Sequence, residues 1–138
     1  LQPMFAIEDE KPITGTAVIG TVSGDKHDIG KNLVRIMMES RDIEVADLGS
    51  QVSPEAFVEH VRNNAKCNLV LISVSRTDLL DNVRDTIKAL KKAKLRDQVF
   101  VMVGGAAASQ EFADEIGADA FTLSAEDAAA KAHELMSL

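Results

Sequence analysis

Apolar residues along this chain alternate between short continuous runs and helical spacing. The runs at 16–22 and 69–72 contain almost no polar alternation, which is typical of strands buried on both faces. Between such runs, apolar residues recur every three or four positions, most clearly in the segment 79–92. The pattern predicts strands and helices in regular alternation.

The predicted elements number five of each kind. They are strands at 16–22, 44–48, 69–72, 99–103 and 120–122, and helices at 31–41, 54–64, 79–92, 109–116 and 124–136. Local signals support several helix ends. Ser53 before Pro54 is a typical helix start, and Gly117 is a typical helix end. Ser124 begins a capping box, and Asp78 is expected to cap the helix at 79–92.

Five consecutive βα units predict a parallel sheet covered by helices on both faces. Their size favours an α/β, flavodoxin-like (Rossmann-like) doubly wound five-stranded sheet with strand order 2-1-3-4-5. Residues 1–15 lack periodicity and read as a linker or arm, so the domain is expected at 16–138. Such sheets bind ligands beyond the carboxyl ends of strands one and three. The loops 23–30, 73–78 and 104–109 are therefore the candidate site.

Charge and composition exclude several functions. The net charge is −7, and no basic cluster suited to nucleic-acid phosphates stands out. No apolar run has the length of a membrane-spanning helix. The only cysteine, Cys67, precedes a buried strand, which favours a thiol at the edge of the core over a nucleophile and fits a reducing cytoplasm.

The three loops carry few but specific chemical groups. His27 follows Asp25 by two residues, a spacing compatible with a metal ligand supported by a carboxylate or with a solvated polar loop. Ser73 is the first polar residue after a buried strand. Its hydroxyl either forms a hydrogen bond with a ligand or with Asp25, or belongs only to the local structure that precedes the next helix. Gly104-Gly105 provides either close backbone approach to a ligand or a tight turn. Together they suit a large organic cofactor better than a small anion.

Two common uses of this fold do not fit these loops. A flavodoxin needs a phosphate cradle after strand one and aromatic rings around its flavin, whereas this loop is acidic and aromatic residues are 4% of the chain. A receiver domain needs an aspartate after strand three and a lysine after strand five, where this chain has Ser73-Val74-Ser75 and Thr122-Leu123.

A family resemblance unites the three loops. Asp25-Lys26-His27-Asp28-Ile29-Gly30 is followed after 42 residues by Ser73-Val74-Ser75, and after 28 more by Gly104-Gly105. This arrangement resembles the cobalamin-binding fingerprint of methyltransferase corrinoid proteins and of the matching module of methionine synthase. The spaced combination is far more specific than any one motif.

The resemblance implies a base-off, His-on corrinoid, in which His27 is the lower axial ligand of cobalt. Asp25 and Ser73 would form the hydrogen-bonded shell behind His27, and the nucleotide tail would enter a channel beside strands one and three. No catalytic residue is implied. The implied cofactor-binding residues are Asp25, Lys26, His27, Asp28, Ile29, Gly30, Ser73, Ser75, Thr77, Gly104 and Gly105.

The function implied is that of a methyl carrier, a cofactor-carrying subunit in the cytoplasm. It would shuttle a methyl group between a methyl-donor methyltransferase and a tetrahydrofolate or thiol acceptor methyltransferase, with a reductive activase as third partner. The alternatives are the cobalamin module of a carbon-skeleton mutase and a cobalamin-sensing regulator. Methyl-carrying members have a helical domain ahead of this one, which is expected before the arm at 1–15.

The chain departs from the family pattern at two positions. Ser75 replaces the usual leucine, and only Thr77 remains of a threonine-rich stretch that contacts the cofactor tail. These departures affect the expected contacts with the tail. His60 and His133 are assigned no role.

Overall fold

The computed structural model describes residues 14–25 and 29–137, with Ile29 described by its backbone alone. Five strands and five helices alternate within this part of the chain. The strands are β1 Gly15–Thr21, β2 Ile43–Asp47, β3 Cys67–Ser73, β4 Phe100–Gly104 and β5 Ala120–Thr122. The helices are α1 Ile29–Glu39, α2 Pro54–Asn63, α3 Leu80–Lys92, α4 Gln110–Ile116 and α5 Ala125–Met136. Short 3₁₀ turns at Thr77–Leu79 and Arg96–Gln98 precede α3 and β4.

The strands form one parallel sheet in the order β2-β1-β3-β4-β5. This is the doubly wound, flavodoxin-like order expected from the sequence, so the predicted fold class is confirmed. Each strand is joined to the next parallel strand along the chain through a helix, which is why the elements alternate.

Two apolar layers cover the sheet. On one face, Val18, Val70 and Val101 pack with residues of α2, α3 and α4. On the other, Ile19 and Leu71 pack with residues of α1 and α5. Because successive strand residues point to opposite faces, strands covered on both sides lose their polar alternation. That explains the unbroken apolar runs in the sequence.

Helix α1 buries a different face from the one that its largest apolar residues suggest. Lys31, Val34 and Met38 point inward, whereas Leu33 and Ile36 are 49% and 54% exposed. The inward residues follow one another at intervals of three and four, so either set satisfies helical periodicity. The buried face therefore includes a lysine where the sequence offers bulkier apolar residues.

Most predicted helix ends are confirmed. The Ser53 and Ser124 hydroxyls accept hydrogen bonds from the N–H groups of Ala56 and Asp127, and Gly117 ends α4 in the left-handed conformation. The prediction that Asp78 caps the helix at 79–92 is wrong. Its carboxylate accepts hydrogen bonds from the Arg76 guanidinium, and α3 has no side-chain cap. The preceding 3₁₀ turn continues directly into α3, so Asp78 does not occupy the cap position.

None of the helices in the described ranges is long and apolar enough to span a membrane.

Gly20 in β1 tests how closely α2 packs on the sheet. A Cβ at Gly20 would lie 2.8 Å from Val52 Cγ2 and 3.0 Å from Phe57 Cζ, and both side chains are buried. We expect Gly20→Ala to lower the free energy of unfolding by about 1–3 kcal/mol, as overpacked cores do. Urea denaturation of the purified chain measures this change.

Gly30→Ala is the matched control, because a Cβ at Gly30 has no neighbour within 4 Å. It lies in the first turn of α1, so alanine should leave stability unchanged or raise it by up to about 1 kcal/mol. Equal destabilisation by both substitutions would contradict this account.

Candidate functional site

Four strand ends lie in one row at the carboxyl edge of the sheet. The parallel register pairs Thr21 with Ser73, Ser73 with Gly104, and Gly104 with Thr122. Each strand in this row ends in a hydroxyl residue or a glycine. The edge is therefore lined with small groups, and the loops that leave it meet above them.

Asp25 is a buried carboxylate in the turn after β1. It is fully buried, and its backbone N–H donates to the Val22 carbonyl at 3.0 Å. The Ser75 backbone N–H donates to Asp25 Oδ2 at 2.6 Å, and the Ser75 hydroxyl donates to the same carboxylate at 2.8–2.9 Å. Hydrogen bonds to an ionised carboxylate are among the stronger ones in proteins. They fix Asp25 against the loop after β3.

This contact differs from the expected one, in which Ser73 bonds to Asp25. Among the described hydrogen bonds, those to the Asp25 carboxylate come from Ser75, two residues further along. Ser73 is the last residue of β3, and its side chain lines the pocket described below. Ser75, which stands where the family pattern has leucine, thus makes the contact with Asp25 that was expected of Ser73.

Three predicted site residues, Lys26, His27 and Asp28, lie outside the described residues. The described chain resumes at Ile29, the first residue of α1. Asp25 and Ile29 border this segment on its two sides. The assigned roles of the three residues stay predictions.

A pocket of about 110 Å³ opens at the carboxyl edge, between the beginnings of α1 and α5. Gly30 and Lys31 form one wall, and residues 123–125 form the opposite wall. Ser73 and Gly104-Gly105 lie between them. The pocket thus brings together residues from the first, second and third predicted loops.

The two glycines differ in what the protein itself requires of them. Gly105 has a φ of +103°, and a Cβ there would lie 2.2 Å from the Val74 carbonyl oxygen, so the fold requires glycine. A Cβ at Gly104 would meet Thr122 at 3.6 Å, an ordinary contact. Because Gly104 also lines the pocket, its missing side chain keeps space open that the fold would allow to be filled.

Thr77, the last predicted site residue, lies on the exposed 3₁₀ turn before α3 and is not part of the pocket wall. Sequence reasoning missed eight residues of the pocket lining, among them Leu123 and Lys31, which differ widely in exposure. Leu123 is 83% exposed, and Lys31 is only 2% exposed. Leu123 was detectable as an apolar residue between the last strand and a helix cap. Lys31 could be recognised only once the structure showed which face of α1 is buried.

Neither Cys67 nor His60 shows a sign of reactivity. Cys67 is 2% exposed, and burial raises the pKa of its thiol, which confirms the interpretation as a core thiol. Partial burial lowers the pKa of His60, which lies on α2 away from the carboxyl edge. The described ranges contain no group of three or more histidine, cysteine or acidic side chains placed to hold a metal ion.

Several proteins similar to this chain are corrinoid or cobalamin-binding proteins. Dimethylamine corrinoid protein 2 of Methanosarcina mazei is 46% identical over 122 residues, which cover 88% of this chain and 56% of that protein. The structure of the Methanosarcina barkeri monomethylamine corrinoid protein matches with a TM-score of 0.86 and 35% identity, over 94% of this chain and 62% of that one. A cobalamin-binding protein from Desulfitobacterium hafniense DCB-2 matches with a TM-score of 0.83 and 36% identity, over 87% and 58%.

The chain spans about half the length of the curated relatives that it matches. Within this chain, the family model described as "B12 binding domain" matches residues 15–132, from the first residue of β1 into α5. The match includes every element that contributes to the pocket and to the Asp25–Ser75 contact. The chain therefore belongs to the B12-binding domain family.

Proposed function

We propose that this protein binds a corrinoid and carries methyl groups within a methyltransferase system. The observation that carries the proposal is the meeting of three separate motifs at one edge of the sheet. Asp25 contacts the Ser73–Ser75 segment, and Ser73 pairs with Gly104 in the neighbouring strand. Relatives whose names describe them as corrinoid proteins of dimethylamine and monomethylamine support the same function.

The described residues at this edge fit a large, flat cofactor. Gly104 and Gly105 present backbone in place of side chains, so a bulky group can approach them closely. Leu123 offers an exposed apolar side chain at the mouth of the pocket. Covering such a side chain is favourable because it removes apolar surface from water. We assign the nucleotide tail of the cofactor to the pocket and the macrocycle to the surface above it.

His27 is the proposed lower axial ligand, with the corrinoid bound base-off. It follows Asp25 by two residues, and Ser75 holds the Asp25 carboxylate in place. A carboxylate bonded to the second ring nitrogen of a ligating histidine fixes the ring orientation and raises its basicity. Lys26, Asp28, Ile29 and Gly30 complete the proposed loop around the ligand, and Thr77 is a proposed contact for the outer part of the cofactor.

A bound corrinoid supplies the cobalt centre on which methyl transfer takes place. The residues of this chain bind and orient that cofactor, and none is assigned a catalytic role. The proposed partners are a methyl-donor methyltransferase, a methyl-acceptor methyltransferase and a reductive activase, all in the cytoplasm. Methylated amines are the donors to test first, because the relatives' names refer to them.

The function is tested by loading the protein with cobalamin and adding a labelled methylated amine with its methyltransferase. We expect the visible spectrum of a bound corrinoid, and a methyl label that leaves the amine and stays with the loaded protein. His27→Ala should remove the nitrogen splitting of the protein ligand from the electron paramagnetic resonance spectrum of the cobalt(II) form.

His60→Ala is the control, since His60 lies on α2 away from the pocket. It should leave the nitrogen splitting intact. A wild-type protein that binds no corrinoid would disprove the function. Binding followed by activity only with adenosylcobalamin would favour the mutase alternative.

The Asp25–Ser75 contact predicts unequal effects of two serine substitutions. Ser75→Ala removes one donor from a buried carboxylate, and a hydrogen bond to a charged group contributes about 1.5–3 kcal/mol. We expect a loss of that size in the free energy of unfolding, measured by urea denaturation of the cofactor-free protein. Ser73→Ala, at the pocket wall, should change stability by less than about 1 kcal/mol. Equal losses would contradict the assignment of the contact to Ser75.

The difference between the two glycines predicts a separation of folding from binding. Gly104→Ala should fold normally, because its Cβ makes only ordinary contacts, yet weaken cobalamin binding about tenfold by filling the pocket. Gly105→Ala should destabilise the cofactor-free protein, because its Cβ overlaps the Val74 carbonyl. Titration calorimetry and thermal unfolding measure the two effects. Unchanged cobalamin affinity in Gly104→Ala would exclude Gly104 from the binding surface.

A further inference from the structure

Lys31 is a charged side chain on the buried face of α1. It is 2% exposed, and its ammonium group lies 2.7 Å from both carboxylate oxygens of Asp47 and 2.9 Å from Asn32 Oδ1. These contacts use the three donors of the ammonium group. Burying a charge is costly, and the cost is offset only where the charge is well paired. A lysine in this position therefore needs Asp47.

Asp47 connects Lys31 to the carboxyl edge of the sheet. Asp47 is the last residue of β2, and its Oδ1 also accepts the Gly49 N–H at 2.8 Å. The Gly49 carbonyl in turn accepts the N–H of Thr21, the last residue of β1, at 2.9 Å. The start of α1 is thus joined to the ends of two neighbouring strands through a single carboxylate.

The same residue lines the pocket. Lys31 belongs to the α1 wall, whereas Asp47 and Asn32, which bind its ammonium group, are not part of the wall. Lys31 therefore borders the pocket, while its ammonium group is paired with Asp47 behind the wall. Displacing Lys31 would move the start of α1 towards or away from the opposite wall at residues 123–125.

We propose that Lys31 is a positioning residue, whose ion pair with Asp47 sets the width of the pocket and so decides whether a corrinoid with a nucleotide tail is accepted. This role rests on the proposed function, because it assigns the tail to the pocket. It makes the Lys31–Asp47 pair a determinant of tail recognition, separate from the axial ligand and from the Asp25–Ser75 contact.

The test compares cobalamin, which has a nucleotide tail, with cobinamide, which lacks one. Lys31→Met keeps an unbranched side chain only one atom shorter and removes its charge. We expect its affinity for cobalamin to fall about tenfold, while its affinity for cobinamide stays within about twofold of wild type. Titration of both corrinoids into wild type and variant, followed by visible absorption, gives the two ratios.

Arg35→Met is the matched control. Arg35 Nε lies 3.6 Å from the same Asp47 carboxylate, but its side chain is 36% exposed and is not part of the pocket wall. It should bind both corrinoids like wild type. If Lys31→Met does not fold, the double variant K31M/D47N takes its place, because it leaves neither partner as an unpaired charge.

The outcomes separate this role from a purely structural one. Selective loss of cobalamin affinity supports the proposal. Equal loss for both corrinoids, or no loss, overturns it and leaves the proposed function intact. A wild-type protein that binds neither corrinoid overturns the proposed function and this inference with it.

Discussion

The site depends on the parallel register of four neighbouring strands. Because Thr21, Ser73, Gly104 and Thr122 are paired in one row, the loops that follow them leave the sheet at the same level. A shift of one residue in any strand would turn its apolar side chains away from their layer, so the two covered faces stabilise this register. The same strand register therefore fixes both the packing of the sheet and the position of the site.

The architecture could be predicted because its signals are local and repeated. Unbroken apolar runs, helical spacing and the caps at Ser53, Ser124 and Gly117 all indicate the same alternation. Strand order follows from that alternation through the handedness and shortness of βα connections. The loops of the site could be located for the same reason, since a doubly wound sheet has one edge at which they meet.

The pairing of side chains within the site could not be predicted. The motif assigned the Asp25 contact to Ser73, yet Ser75 makes it with both its backbone and its hydroxyl. The difference arises after β3 has ended, where the chain direction is set by tertiary packing. Periodicity likewise allowed two faces of α1, and the buried one contains Lys31 because Asp47 lies close enough to pair with it.

The floor of the pocket has a consequence for how this site can diversify. Gly105 packs against the Val74 carbonyl so closely that a side chain there would displace main chain. A substitution at this position therefore cannot reshape the pocket without disturbing the fold. Descendants of this protein that come to prefer a different corrinoid have Gly104 and the two flanking helices as the places where a change is tolerated.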